Sequence, residues 1–157
     1  MITAVRSALI CDKVERREGG LTDYLGVHGF KMLADSRPGL FEVWLTLHVD
    51  VDKRPTKGQV SVSAADLGLI VPFAFTTERG MSVIAFPIYI PVQAPDTLTV
   101  TITDADRRDR PMRFKWSLGF APGAKVLDAE HGQLVLSEAA KANAKVLASL
   151  AKPSLPH

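Results

Sequence analysis

The stretch LFEVWLTLHV, Leu40 to Val49, decides the fold. Phe41, Val43, Leu45, Leu47 and Val49 fall on alternate positions, with Glu42, Thr46 and His48 between them. That is the period of a β-strand with one buried face. The same alternation recurs in QVSVSA, where Val60 and Val62 alternate with Gln59, Ser61 and Ser63, and in TLTVTIT, where threonines separate Leu98, Val100 and Ile102. It returns in RFKWSL through Phe114, Trp116 and Leu118. Less regular apolar runs in VRSALICDKV, DYLGVHGFKML, LIVPFAFTT and GMSVIAFPIYIPV bring the expected total to about eight strands.

Proline has no amide hydrogen for a ladder, so the runs holding Pro72, Pro87 and Pro91 are expected at sheet edges or bulges. Turn signals such as Gly19-Gly20, Pro38-Gly39, Arg79-Gly80 and Pro95-Asp96 separate the strands, and no long helical pattern lies between them. The expected fold is therefore all-β: an antiparallel β-sandwich, immunoglobulin-like or C2-like, over residues 1–122. Residues 123–157 form an extension. Within it SEAAKANAKVLASLAK predicts a short amphipathic helix over about 137–151, with Ser137 as N-cap and Glu138 in the first turn. Its apolar stripe, Ala139, Val146, Leu147 and Leu150, is expected to dock on the sandwich, and PSLPH to be disordered.

A chain of 157 residues is the size of one ordinary domain and long enough for a hydrophobic core. The 19 Lys and Arg against 17 Asp and Glu leave a net charge of +2, which favours neither nucleic acid nor an anionic membrane. A single cysteine, Cys11, has no internal disulfide partner, so a reducing, cytoplasmic location is expected. Asp12 and Lys13 close the first apolar run too early for a signal peptide, and no later run reaches the ~18 apolar residues of a membrane span.

Chemistry is concentrated in DADRRD, between the TLTVTIT and RFKWSL strands. Asp104, Asp106 and Asp109 offer hard oxygen ligands, and Asp50 and Asp52 in HVDVDKRP offer two more, a donor set suited to calcium. Arg107, Arg108 and Arg110 stand among these aspartates and compete for the carboxylates. The opposing reading is a solvated hairpin tip whose aspartates bond their own backbone. With Arg113 and Lys115 the same arginines make a basic segment, but the interleaved acids and the inward pattern of Phe114 and Trp116 argue against stacked nucleic acid.

Cys11 would serve as a nucleophile if His28 or His48 approached it, whereas its place in ALIC suits plain packing. His28, His48, His131 and His157 have no H-x-H or H-E-x-x-H spacing. The chain contains neither G-x-S-x-G nor a glycine-rich phosphate loop. Trp44 breaks the alternation by lying with Glu42 and Thr46. It is therefore expected either beneath a covering helix or loop, or on a contact surface.

TLTVTITDAD resembles the strand and D-x-D loop of C2 domains, and that resemblance implies a calcium site of Asp50, Asp52, Asp104, Asp106 and Asp109. The segment ALICDKVERREGGLTDYLGVHGF resembles the opening of a family of small uncharacterised bacterial proteins. The likeness lies in Cys11-Asp12, the EGG turn and Leu25-Gly26-Val27, and extends loosely to residue 120. It implies a compact β-sandwich and no assigned activity. The sequence thus points to a non-catalytic protein without a cofactor, acting through contacts with a protein partner or a second copy. Trp44, the Arg107 to Lys115 hairpin and the C-terminal helix are its candidate surfaces. The alternatives are a calcium-dependent C2-like module and an enzyme built on Cys11.

Overall fold

Along the Leu40 to Val49 stretch, Val43, Leu45, Leu47 and Val49 are fully buried while Glu42 is exposed, so the alternation is realised as a one-sided strand. The computed structural model describes residues 1–34, 39–64, 67–75, 80–92, 95–120 and 128–150. Among them are nine strands: β1 (Ile2–Arg16), β2 (Thr22–His28), β3 (Lys31–Ala34), β4 (Gly39–Val51), β5 (Thr56–Ala64), β6 (Leu67–Phe75), β7 (Gly80–Val92), β8 (Asp96–Asp104) and β9 (Met112–Phe120). One helix, α1 (Ala129–Leu150), follows them.

The strands form two sheets, one of four in the order β2-β1-β4-β7 and one of five in the order β3-β9-β8-β5-β6. Apolar side chains of both sheets meet in one core, with Ile10, Leu45, Phe86 and Ile88 from the first and Val60, Val100, Ile102 and Trp116 from the second. The protein is mostly β, built of two sheets with one C-terminal helix. The ninth strand arises because DYLGVHGFKML, expected as one run, divides at Gly29. Its first half pairs antiparallel with β1, and its second joins the other sheet as β3, parallel to β9. That parallel edge is a departure from the all-antiparallel expectation.

Two glycines are fixed by close approach. Gly26 lies at φ +64°, and a Cβ there would collide with the Asp12 carboxylate, which is hydrogen-bonded to His28 at 2.7 Å. At Gly58 a Cβ would meet the Thr103 carbonyl and the Phe73 ring, where β5 runs between β8 and β6.

Pro72 lies on β6 and Pro87 and Pro91 on β7, and both strands are sheet edges, as their prolines require. On β7, Pro87, Tyr89 and Pro91 stand opposite Trp44, Glu42 and Leu40 of β4. Alternate positions of an antiparallel pair turn their amide groups the same way, so this set faces the open edge. The prolines have no hydrogen to offer there. Tyr89 does, and Asn143 of α1 takes it: the Asn143 side-chain oxygen accepts the Tyr89 N–H at 3.0 Å and its amide donates to the Tyr89 carbonyl at 2.9 Å.

The helix starts about two turns before the expected Ser137. Its N-cap is Asp128, whose carboxylate accepts the His131 N–H at 2.8 Å and also bonds the His131 ring at 2.7 Å. Ser137 and Glu138 are both exposed positions within the helix. The helix packs on β7, β4 and β6, with Ala139 and Asn143 buried in the contact, so it docks on the sheets as the apolar stripe suggested. The PSLPH tail lies outside the described residues.

Candidate functional site

On the outward side of β4 and β7, opposite the core, Trp44 pairs with Pro87, Thr46 with Ala85 and Glu42 with Tyr89. The helix stands over one side of this face, and between them lies a groove of about 610 Å³. Trp44, Ala85, Pro87 and Tyr89 form its floor. Its wall is one face of α1, carrying Glu138, Lys141, Ala142, Lys145, Val146 and Ser149, positions spaced three and four apart, with Leu150 at the end. Two of its lining residues, Ala85 on the floor and Ala142 on the wall, are small and fill little of it.

Trp44 is therefore half-buried, part covered by the C-terminal helix and part lining a groove. The Tyr89 phenol is pushed above its ordinary value, chiefly by burial and then by Glu42, which repels the phenolate and hydrogen-bonds to the hydroxyl. Thr46 is wholly buried beside Trp44, and its hydroxyl has no hydrogen-bond partner among the described residues.

A second hollow shares Ala85 with the groove and continues along the sheet past Val83 to Leu21, Tyr24, Arg16 and Arg17. Leu21, Met81 and Val83 are 56%, 62% and 49% exposed, so an apolar strip extends from the helix to the β1–β2 turn.

At its margin His48 bridges two hydroxyls, with Ser7 Oγ 2.7 Å from Nδ1 and Tyr24 Oη 2.9 Å from Nε2. Tyr24 reaches across β1 to do this, and its ring meets the imidazole edge-on at 5.8 Å. A neutral imidazole has one donor and one acceptor, so one hydroxyl donates to it and the other accepts. The bridge ties β2, β1 and β4 together. The amino-acid pattern gave no sign of it, because it depends on the register of three strands.

Two of the five aspartates of the calcium reading meet the start of the chain, Asp52 at Met1 and Asp104 at Ile2. Asp52 holds the Met1 amino group at 2.6 Å, and its carboxyl lies below the usual range through that bond and the Arg54 N–H. Asp104 is buried: one oxygen accepts the Ile2 N–H at 2.6 Å, the other the Asp106 N–H at 2.9 Å. Asp50 is paired with Arg6, and Asp109 lies 3.7 Å from Arg110. Asp106 and Asp109 are exposed. Among the described residues no three His, Cys, Asp or Glu side chains converge as metal ligands.

Arg107, Arg108, Arg110, Arg113 and Lys115 are all exposed, while Phe114 packs partly buried against the core and Trp116 is buried in it. Cys11 is fully buried, with its sulfur 3.9 Å from the Trp44 carbonyl, and burial raises its thiol, away from the thiolate a nucleophile needs. Neither histidine bonds to it: His28 is held by Asp12, and His48 by Ser7 and Tyr24.

Fold and site together define a two-sheet β protein whose outer face is half covered by its own C-terminal helix. No helix among the described residues is long and apolar enough to cross a membrane. No protein-family model matches the chain, and no curated protein matches it.

Proposed function

We propose that this chain is a non-catalytic β-sandwich, of the immunoglobulin-like or C2-like kind, that works in the cytoplasm by binding another protein. The working surface is the outward face of the four-stranded sheet. The observation that carries this reading is the apolar strip of Leu21, Met81, Val83 and half-buried Trp44, which leaves large side chains in water along one continuous face. Such a patch with Arg16 and Arg17 at its rim has the make-up of an interface, an apolar centre with a charged border. The Arg107 to Lys115 hairpin is a weaker candidate, because Asp109 within it and Asp106 beside it offset its positive charge, and Phe114 and the neighbouring Trp116 turn toward the core.

A photo-crosslinking side chain at Val83 tests the reading. In lysate of the native host it should give a discrete adduct, either with one partner or with a second copy of the chain. The same probe at Lys115 should give none. The adduct should disappear in Met81→Glu, which puts a charge into the strip without touching the core. Equal labelling from both positions would sink the assignment.

A further inference from the structure

We infer that the groove between α1 and the four-stranded sheet binds a small amphiphile with an apolar tail and a single carboxylate head. This site shares Trp44 with the protein-contact strip but does not depend on that reading, whose other residues, Leu21, Met81 and Val83, lie outside the groove. A volume of about 610 Å³ lies within the usual range of small-ligand sites, roughly 300–1,000 Å³. The floor is an indole, a proline ring, a methyl group and the ring of Tyr89, whose hydroxyl is already bonded to Glu42, a largely apolar bed suited to an apolar tail.

Charge supplies the head group. Lys141 and Lys145 stand one turn apart on the groove face of the helix, and among the described residues neither has an ion-pair partner. Glu138, one turn before Lys141, and Glu42, hydrogen-bonded to the Tyr89 hydroxyl, offset the two ammoniums over the groove as a whole. Lys145 stands two turns from Glu138, so the positive charge a monoanion needs is concentrated at the Lys145 end. Helical spacing puts Ser149 one turn beyond Lys145, so the end of the groove away from Glu138 has an ammonium and a hydroxyl to donate to a carboxylate. The tail then runs from that end over Pro87 toward Trp44. Filling the space recovers dispersion contacts that small lining residues such as Ala85 and Ala142 leave unmade.

Isothermal titration of the full chain with dodecanoate, kept below its micelle concentration, tests this, with dodecanol and dodecyltrimethylammonium as head-group controls. Dodecanoate should bind saturably, shift the Trp44 emission, and bind more tightly than either control. Lys141→Glu with Lys145→Glu, both exposed positions, should weaken dodecanoate about tenfold relative to dodecanol. Ala142→Phe, which fills the groove from the helix side, should remove all binding while circular dichroism and melting temperature show an intact fold. Equal affinity for the three head groups, or undiminished binding in folded Ala142→Phe, would overturn the proposal. So would the absence of saturable binding; if sedimentation then showed self-association lost in Ala142→Phe, the groove would belong to a second copy instead.

Discussion

Asp104 shows how a residue that looks like a ligand becomes a staple. It closes the turn that begins the DADRRD loop by accepting the Asp106 N–H, and with its other oxygen it accepts the N–H of Ile2, some hundred residues away in sequence, at the start of β1. A carboxylate accepting two amide hydrogens in a buried setting ties two distant segments together, and removing it leaves both donors unmatched. Asp104→Ala should therefore destabilise by about 2 kcal/mol, with Asp104→Asn milder because one oxygen remains. Thermal unfolding in calcium and in EDTA checks both the size and the cause. The loss should be the same in the two buffers; a calcium-dependent melting temperature in the parent chain that vanishes in Asp104→Asn would restore the metal reading. The sequence carried half of this. D-x-D after a strand marks an Asx-type turn as well as a ligand pair, but the Ile2 contact is invisible until β1 is placed beside the loop.

At the scale of elements, the strands were legible because burial on one face imposes period two, and the edge positions of β6 and β7 were legible because proline cannot sit elsewhere. The start of α1 was not. Its first turns, AEHGQLVL, contain Gly132 and a Leu-Val-Leu run that reads as readily as a strand, while Ser137 and Glu138 imitate a cap further on. The cap in the structure is Asp128, and its carboxyl lies below the ordinary aspartate range, first through the His131 N–H and then through the His131 ring. A carboxyl whose folded value is lowered stabilises the fold above its unfolded value, near pH ~4, and that stability is lost as pH falls through the folded value. Amide exchange in the first turn of α1 should thus stay constant from neutral pH down to about pH 4, after correction for intrinsic rates, and show falling protection below it. In Asp128→Ala the protection should be low throughout and the acid step absent. An acid step that survives in the variant would place the titrating group elsewhere.

For the whole molecule the problem is the open side of the sandwich, where β6 and β7 are both edge strands. An edge of free amides is a template for another chain, and β7 is long, running from Gly80 to Val92. Three neighbouring outward positions answer this in two ways: Pro87 and Pro91 withdraw their donors, and Asn143 occupies both the N–H and the C=O of Tyr89 with the two ends of its amide, as a passing strand would. The helix is therefore an edge cover as well as one wall of the groove, and the same contact that blocks pairing fixes the groove's width. Pro87→Val with Pro91→Val restores two outward N–H groups without adding charge, and it should turn the protein toward strand-to-strand dimers or larger assemblies at concentrations where the parent is unchanged. Asn143→Ala should act in the same direction by freeing Tyr89, and should also loosen α1. Sedimentation velocity over a concentration series separates the two effects when read beside helix content. If the proline variant assembles with its helix intact, edge pairing is the cause; if it stays in the parent's state at every concentration, the prolines are not what guards the edge.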